Sequence, residues 1–517
     1  MSQGSHLNAA QRADDLAELR DGPPLDVLVI GGGVTGAGAA LDAAARGLRV
    51  GLVERRDLAW GTSRWSSKLV HGGLRYLPSG AIGVAMESAR ERAVLLRTTA
   101  PHLVRPIRQS IPLTPGMSRN AERAARVGLR LGDGLRRAAG TTARELPRSA
   151  RVDAATMLDI APGLRREGLR GGIVGWDAQL EDDARLVVAL ARTAAAQGAL
   201  VATRCGALEA TGSGARLRDE LTGETFDVRA RTVIGATGVW TGELAAELRL
   251  RPSRGTHLVV DQAALGGLDA IVSIPIPGES NRFVFAIPQR SGLAYVGLTD
   301  EELRGPIPDV PEPPESDVDF LLATIADTFR RPITRRDVLG TYAGLRPLLA
   351  GDDDADHTAD ISRRHAVRTG PDGLISVVGG KLTTYRRMAQ DAVDAAVAAV
   401  DLPAGPCRTT RLPLVGAANR PTLGAVDAPP RLVDRHGVEA PAVVALAAGD
   451  PALLEPLLPG GDVLGVEVLH ALRVEGALDA DDVLDRRTRI GLVAADRERA
   501  SEAVRDLLDR ERATVRP

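Results

Sequence analysis

The residues Leu25–Ile30 run directly into Gly31-Gly32-Gly33-Val34-Thr35-Gly36, and no other feature restricts the fold as strongly. Leu25–Ile30 is a short, largely apolar run of the kind buried in parallel sheets. An alanine-rich helical pattern follows through Ala39–Arg46, and Gly47 is placed to end it. Val50–Val53 then reads as a second strand that ends in Glu54. Strand, glycine turn, helix and strand form a unit of about 30 residues, the setting that a dinucleotide-binding turn requires. Gly31, Gly33 and Gly36 permit a tight turn and let backbone N–H groups approach a pyrophosphate at the helix start. Glu54 is placed to accept hydrogen bonds from an adenosine ribose, and its charge disfavours a 2′-phosphate. An α/β fold on a parallel sheet follows.

The remainder must belong to further domains, since 517 residues exceed what one core supports. Ala85–Arg97 reads as an exposed helix, Arg119–Arg137 as an arginine-rich stretch, and Leu180–Ala196 as an amphipathic helix. Between about residues 250 and 345 the pattern turns β-rich, with candidate strands at His257–Asp261, Arg282–Ile287 and Ala294–Leu298. Pro306–Pro314 is an extended loop and Gly351-Asp352-Asp353-Asp354 an acidic, solvated one. After about residue 400 the chain is helical, without obvious chemistry. A net charge of −2 argues against nucleic-acid binding. Two cysteines, Cys205 and Cys407, make no disulfide framework and suit a reducing compartment. The first 24 residues are polar, with no secretory apolar region. The longest uncharged stretch, Val27–Leu41, has 15 residues, against the roughly 20 that a membrane span needs. A soluble or peripheral cytoplasmic protein is expected.

Scarce residues point to the site. Only two of 65 basic residues are lysine, Lys68 and Lys381, and both lie in Gly/Ser/Thr-rich segments where a compact ammonium differs from a planar guanidinium. Lys68 falls within Gly61-Thr62-Ser63-Arg64-Trp65-Ser66-Ser67-Lys68-Leu69-Val70-His71-Gly72-Gly73-Leu74-Arg75-Tyr76-Leu77. Lys381 follows the apolar strand Leu374–Val378 in Gly379-Gly380-Lys381-Leu382-Thr383-Thr384, which opens a helix reaching about Val400. A helix start there can stabilise negative charge on a reduced flavin. Thr232–Gly238 offers a second close approach of backbone to a cofactor through Ala236 and Gly238. These features favour FAD over NAD.

The 61–77 segment, with Thr341-Tyr342-Ala343-Gly344-Leu345-Arg346-Pro347-Leu348 and Gly379-Gly380-Lys381-Leu382-Thr383-Thr384-Tyr385-Arg386, resembles the FAD-dependent, quinone-linked glycerol-3-phosphate dehydrogenase family. Arg486-Arg487-Thr488-Arg489 is similar to that family's C-terminal helical region. The resemblance implies a glutathione-reductase-like FAD-binding domain from 25–105, 165–245 and 345–400. It also implies a β-rich substrate cap from 106–164 and 246–344, and a helical C-terminal domain over 401–517. Residues 1–24 are left as a mobile polar leader. It further implies oxidation of sn-glycerol 3-phosphate to dihydroxyacetone phosphate, with electrons passed to membrane quinone.

The chemistry of the residues agrees with this reading. A phosphate dianion needs fixed cations, and Arg75, Arg346 and Lys381 come from three separate motifs, with Tyr76 as a further donor. Loss of the hydroxyl proton calls for a base such as His257, while His71 belongs beside the flavin. Gly31, Gly33, Gly36, Glu54, Thr62, Ser63, Ser67, Lys68, His71, Ala236, Gly238, Gly380, Leu382 and Thr383 are the expected cofactor contacts, and no metal is called for. The Arg119–Arg137 stretch can lie on an anionic surface at the inner face of the cell membrane, or be a solvated helix. A glycerol-3-phosphate oxidase that uses oxygen, an amine or amino-acid oxidase on the same fold, and a flavin-binding sensor without turnover remain open alternatives, as does a homodimer.

Overall fold

Apolar strands collect into two sheets in the computed structural model, which describes residues 3–73, 82–279, 282–350 and 364–515. The first sheet has eight strands. Its central path runs His365–Thr369, Ile375–Gly379, Thr225–Gly235, Leu25–Ile30, Val50–Glu54, Leu200–Thr203, and the hairpin Cys205–Thr211/Gly214–Asp219 extends it. Leu25–Ile30 pairs in parallel with strands on both sides, so it is buried on both faces. Helices Val34–Ala45, Asp183–Ala196 and Tyr385–Val400 cover one face, sharing a core with Val27, Val29, Leu52, Leu186 and Ala392. Small residues on the first helix allow this close packing.

The second sheet has ten strands, ordered Glu301–Glu302, Ser253–Asp261, Leu293–Gly297, Phe283–Pro288, Ile271–Pro275, Val104–Pro112, Gly172–Leu180, Leu69–Val70. Val338–Arg346 and Ala150–Val152 pair at its sides. Helix Glu315–Ile325 seals one face with Val318, Leu321 and Ile325 against Leu258, Val272 and Val296. The boundaries drawn from sequence cut through this sheet. Leu69–Val70 and Gly172–Leu180, assigned to the cofactor domain, pair within it instead. The 180–196 segment is correspondingly a strand end followed by a helix that is buried along almost its whole length, not an amphipathic one.

Two other expectations are corrected. The described part of the expected mobile leader at 1–24 is anchored instead: Ala9–Asp21 is a helix capped by Asn8, whose side chain accepts from Gln11 N at 2.9 Å. Leu19 is buried, Asp15 accepts the Val201 amide at 2.8 Å, and Arg12 donates to Thr203 O at 2.7 Å. The helix Ile82–Val94 is not exposed, because Ser88, Glu91 and Arg92 are buried. Glu91 accepts from Arg386 Nη2 at 2.6 Å. The acidic stretch 351–354 lies outside the described residues.

Helices such as Gly465–Val474 and Ala494–Val515 make the C-terminal region. It docks through buried charge. Arg487 donates to Asp57 Oδ2 and Oδ1 at 2.7 and 2.8 Å, and Arg435 reaches Asp182 Oδ2 at 3.0 Å. Among the described residues no helix is long and apolar enough to cross a membrane.

Candidate active site

A cavity of about 1920 Å³ runs between the sheets. It exceeds the several hundred to about 1,000 Å³ usual for a small ligand. At one end lie Gly31, Gly33 and Glu54. Gly31 has φ +112°, and a Cβ there would stand 2.5 Å from Ala236 O. A Cβ at Gly36 would collide with Gly31 O, so Gly36 makes the turn from behind rather than lining the cavity. Val34 N, at the helix start, donates to Ser63 Oγ at 2.9 Å. Glu54 accepts from Gly32 N at 2.6 Å and Arg56 N at 2.7 Å. Burial raises its pKa, and those two amides oppose the rise.

At the other end the strand Ile375–Gly379 delivers Gly380, Lys381, Leu382 and Thr383 to the cavity wall. Lys381 Nζ donates to Ser88 Oγ at 2.6 Å. Arg346 closes the strand Val338–Arg346. Its Nη1 reaches Ser253 Oγ at 3.0 Å and Asp300 Oδ1 at 3.2 Å, and its Nη2 reaches Thr299 O at 3.3 Å. The guanidinium is therefore anchored by an acid, which sequence gave no sign of.

His257 sits between Tyr342 and Gly297 in strand register. Its ring stacks on Tyr342 at 4.7 Å and 11°, and its Nε2 lies 2.8 Å from Ser67 Oγ. Burial, then the cations Lys68 and Arg346, hold its pKa well below the free imidazole value. A neutral ring at pH 7 can take a proton. Thr62, Ser63, Ser67, His71, Ala236 and Gly238 also face the cavity. Thr62 Oγ1 donates to Leu345 O at 2.5 Å, while Gly72 N beside His71 donates to Asp177 Oδ1 at 3.1 Å.

Lys68 departs from its expected place. It is 2% exposed, does not line the cavity, and points its ammonium at Asp183 Oδ2, 3.0 Å away. Burial pulls its pKa down to about 8 against the attraction of Asp183. Arg75 and Tyr76 lie outside the described residues. Sequence reasoning missed Asp183, Asp300 and Ser88. Each answers a cation from far along the chain, and only their neighbours in space give them meaning. The buried group His436, His470 and Glu475 is the one set of potential metal ligands among the described residues, and Arg185 Nη2 already holds Glu475 Oε2 at 2.9 Å.

Residues 26–386 match the FAD dependent oxidoreductase family, and residues 407–513 match the C-terminal domain of alpha-glycerophosphate oxidase. The chain is 52% identical over 515 residues to glycerol-3-phosphate dehydrogenase 1 of Mycobacterium tuberculosis, covering 99% of this chain and 100% of the relative. The chain belongs to the FAD-dependent glycerol-3-phosphate dehydrogenase family. A mitochondrial glycerol-3-phosphate dehydrogenase of Arabidopsis thaliana is 36% identical, over 96% of this chain and 82% of its own. The crystal structure of the glycerol-3-phosphate dehydrogenase from Bacillus halodurans complexed with FAD superposes with TM-score 0.75 at 28% identity, covering 97% of this chain and 94% of that one. A glycerophosphate oxidase from Mycoplasma pneumoniae shares the fold at TM-score 0.56 and 17% identity, covering 76% of this chain and 99% of that one.

FAD suits the residues found in a glycerol-3-phosphate dehydrogenase of this kind. A Cβ added at Gly238 would meet nothing within 4 Å, and one at Gly33 only Ser63 Oγ at 3.2 Å, so both leave bare backbone facing the cavity. Glu54 keeps carboxylate lone pairs beyond its two amide donors for ribose hydroxyls. Gly31, Gly33, Val34, Glu54, Ser63, Ala236 and Gly238 would hold the adenosine and pyrophosphate half, and Gly380, Leu382 and Thr383 the ring end.

Proposed function

We propose that this protein oxidises sn-glycerol 3-phosphate to dihydroxyacetone phosphate with FAD and passes the electrons to a membrane quinone. One observation carries the reading: His257, Arg346 and Lys381 open into the same cavity as the dinucleotide turn. FAD, when bound, would supply the hydride acceptor for C2 of the alcohol. The protein does the rest. Arg346 and Lys381 bind the phosphate dianion, and that binding energy holds the carbinol in place. His257 is the base on which the hydroxyl proton's charge ends, at Nε2, so that the O–H bond breaks as the C2–H electron pair leaves. The same cations stabilise the negative charge that develops on the carbinol oxygen.

The helix Arg119–Ala138 supports a membrane acceptor. Val127 and Leu131 are exposed at 57% and 55% among arginines 119, 123, 126 and 130, and the helix lines one end of the cavity. An anionic bilayer fits such a face. Anaerobic addition of glycerol 3-phosphate to the yellow protein tests the reaction: the flavin band should bleach, and a soluble quinone should restore it faster than oxygen does. A band that stays yellow would remove the reading, and faster return with oxygen would make the protein an oxidase.

A further inference from the structure

The buried ammonium of Lys68 has three hydrogens and three acceptors. Nζ donates to Arg64 O at 3.1 Å and Ser66 O at 3.0 Å, and pairs with Asp183 Oδ2 at 3.0 Å. A compact, tetrahedral donor satisfies this arrangement, and a planar guanidinium does not. That gives a physical reason for lysine at a position in a chain otherwise built with arginine.

All three contacts bear on one turn. Asp183 Oδ2 also accepts Ser66 N at 2.8 Å, Ser66 O also accepts the Tyr342 hydroxyl at 3.1 Å, and Lys68 N donates to Ser66 Oγ at 3.1 Å. Lys68 itself has φ +56°, a left-handed conformation that strains a residue with a side chain. Strain of that kind persists where surrounding contacts over-determine it. The next hydroxyl along, Ser67 Oγ, is the one that meets His257 Nε2, and His257 in turn lies flat on Tyr342. Lys68 Nζ stands 4.8 Å from the other partner in that stack, the Tyr342 ring centroid.

We propose that Lys68 is a positioning residue for proton transfer: with Asp183 it fixes the Ser66–Ser67 turn so that the Ser67 hydroxyl meets Nε2 of His257. In this arrangement Ser67 passes its own proton to Nε2 as it accepts the one released by the substrate hydroxyl, while the C2–H electron pair leaves as hydride to FAD. The charged and titratable groups around His257 are Lys68 on the loop, Tyr342 and Arg346 on its neighbouring strand, Tyr295 on the other side, and Asp300 bound to Arg346. The inference rests on His257 being the proton acceptor.

The double variant Lys68→Met/Asp183→Asn removes both charges and strands neither. It should load FAD as the parent does and keep KM for glycerol 3-phosphate within about twofold. Its kcat should fall about tenfold. The acid limb of kcat/KM should move to higher pH, since Lys68 no longer opposes protonation of His257. A parental kcat, or a lower kcat with the limb unmoved, overturns the proposal. Should the double variant fail to load FAD, Ser67→Ala decides: loss of kcat with KM retained supports the clamp, and a parental kcat overturns it. His257→Gln separates the two layers. If His257→Gln keeps the parental limb and rate, the base assignment has failed. If it is impaired while the double variant is unaffected, only the role of Lys68 has failed.

Discussion

Asp57 and Arg487 are 430 positions apart in sequence, yet form a two-pronged, fully buried ion pair at 2.7 and 2.8 Å. Arg486 Nε joins the same carboxylate at 2.5 Å. Asp57 lies just beyond Glu54, and Arg489 Nη2 reaches Arg64 O at 2.6 Å in the segment that bears Ser63 and Ser67. The C-terminal region thus holds the loop that builds the cofactor and proton-transfer ends of the cavity.

Arg487→Met leaves that carboxylate short of a partner in the interior, a loss of about 3–5 kcal/mol for pairs of this type. Burial alone would raise the pKa of Asp57, but Arg487 and Arg486 outweigh it and hold the pKa well below the usual carboxylate range. The pair therefore contributes stability that is full above the unfolded carboxylate pKa of about 3.9 and is lost progressively as pH falls from there through the lower folded pKa. Thermal melts from pH 3 to 7 should show a constant gap between parent and variant above about pH 5 that begins to narrow towards pH 3; a gap that does not narrow would contradict this.

Lys381→Met should retain FAD, because Lys381 meets Ser88 and the cavity rather than the dinucleotide turn. KM for glycerol 3-phosphate should rise and kcat fall, each by about tenfold or more. Steady-state kinetics with flavin content as the control checks it, and unchanged constants remove Lys381 from the phosphate site.

The depressed pKa of His257 sets the pH profile. The neutral ring is the working form, so kcat/KM should rise with pH through a limb lying below about 6.5, the free imidazole value, and be level above it. His257→Gln should lower kcat by about 10²-fold or more and abolish the limb.

Gly36→Ala introduces a methyl group against Gly31 O in the turn. The expected product is protein that elutes without bound flavin, read from the absorbance at 450 nm relative to 280 nm. A yellow, fully loaded variant would mean that the turn can yield.

Val127→Glu/Leu131→Glu should abolish sedimentation with anionic vesicles, because both side chains are more than half exposed on Arg119–Ala138. Parental binding of the variant, or no binding by the parent, would end the membrane assignment.

The strand–turn–helix unit was legible because its geometry is local: glycines at 31 and 36 are demanded by atoms only a few residues or one strand away. Rare residue types marked the other cavity segments for a similar reason. What sequence could not supply was the partner of each charge. Lys68 reads as a ligand beside Ser67, but a left-handed backbone turns it toward Asp183, on a helix over 100 positions later. The polar start of the chain looked unattached because its anchoring acceptors, Thr203 O and Asp219, are set by the far end of the first sheet. Gly172–Leu180 changed sheets because its register is written on Val104–Pro112, not on itself.

The strand order of the first sheet also has a meaning in time. Leu25–Ile30 is synthesised early, but its neighbour Thr225–Gly235 and the outer Ile375–Gly379 follow long after. At ordinary ribosomal speeds the gap is on the order of tens of seconds. A nascent chain would therefore display its phosphate-gripping turn, with the first strand paired on one side only by Val50–Glu54, well before the ring-end wall exists, and cofactor capture becomes a late, nearly post-translational event.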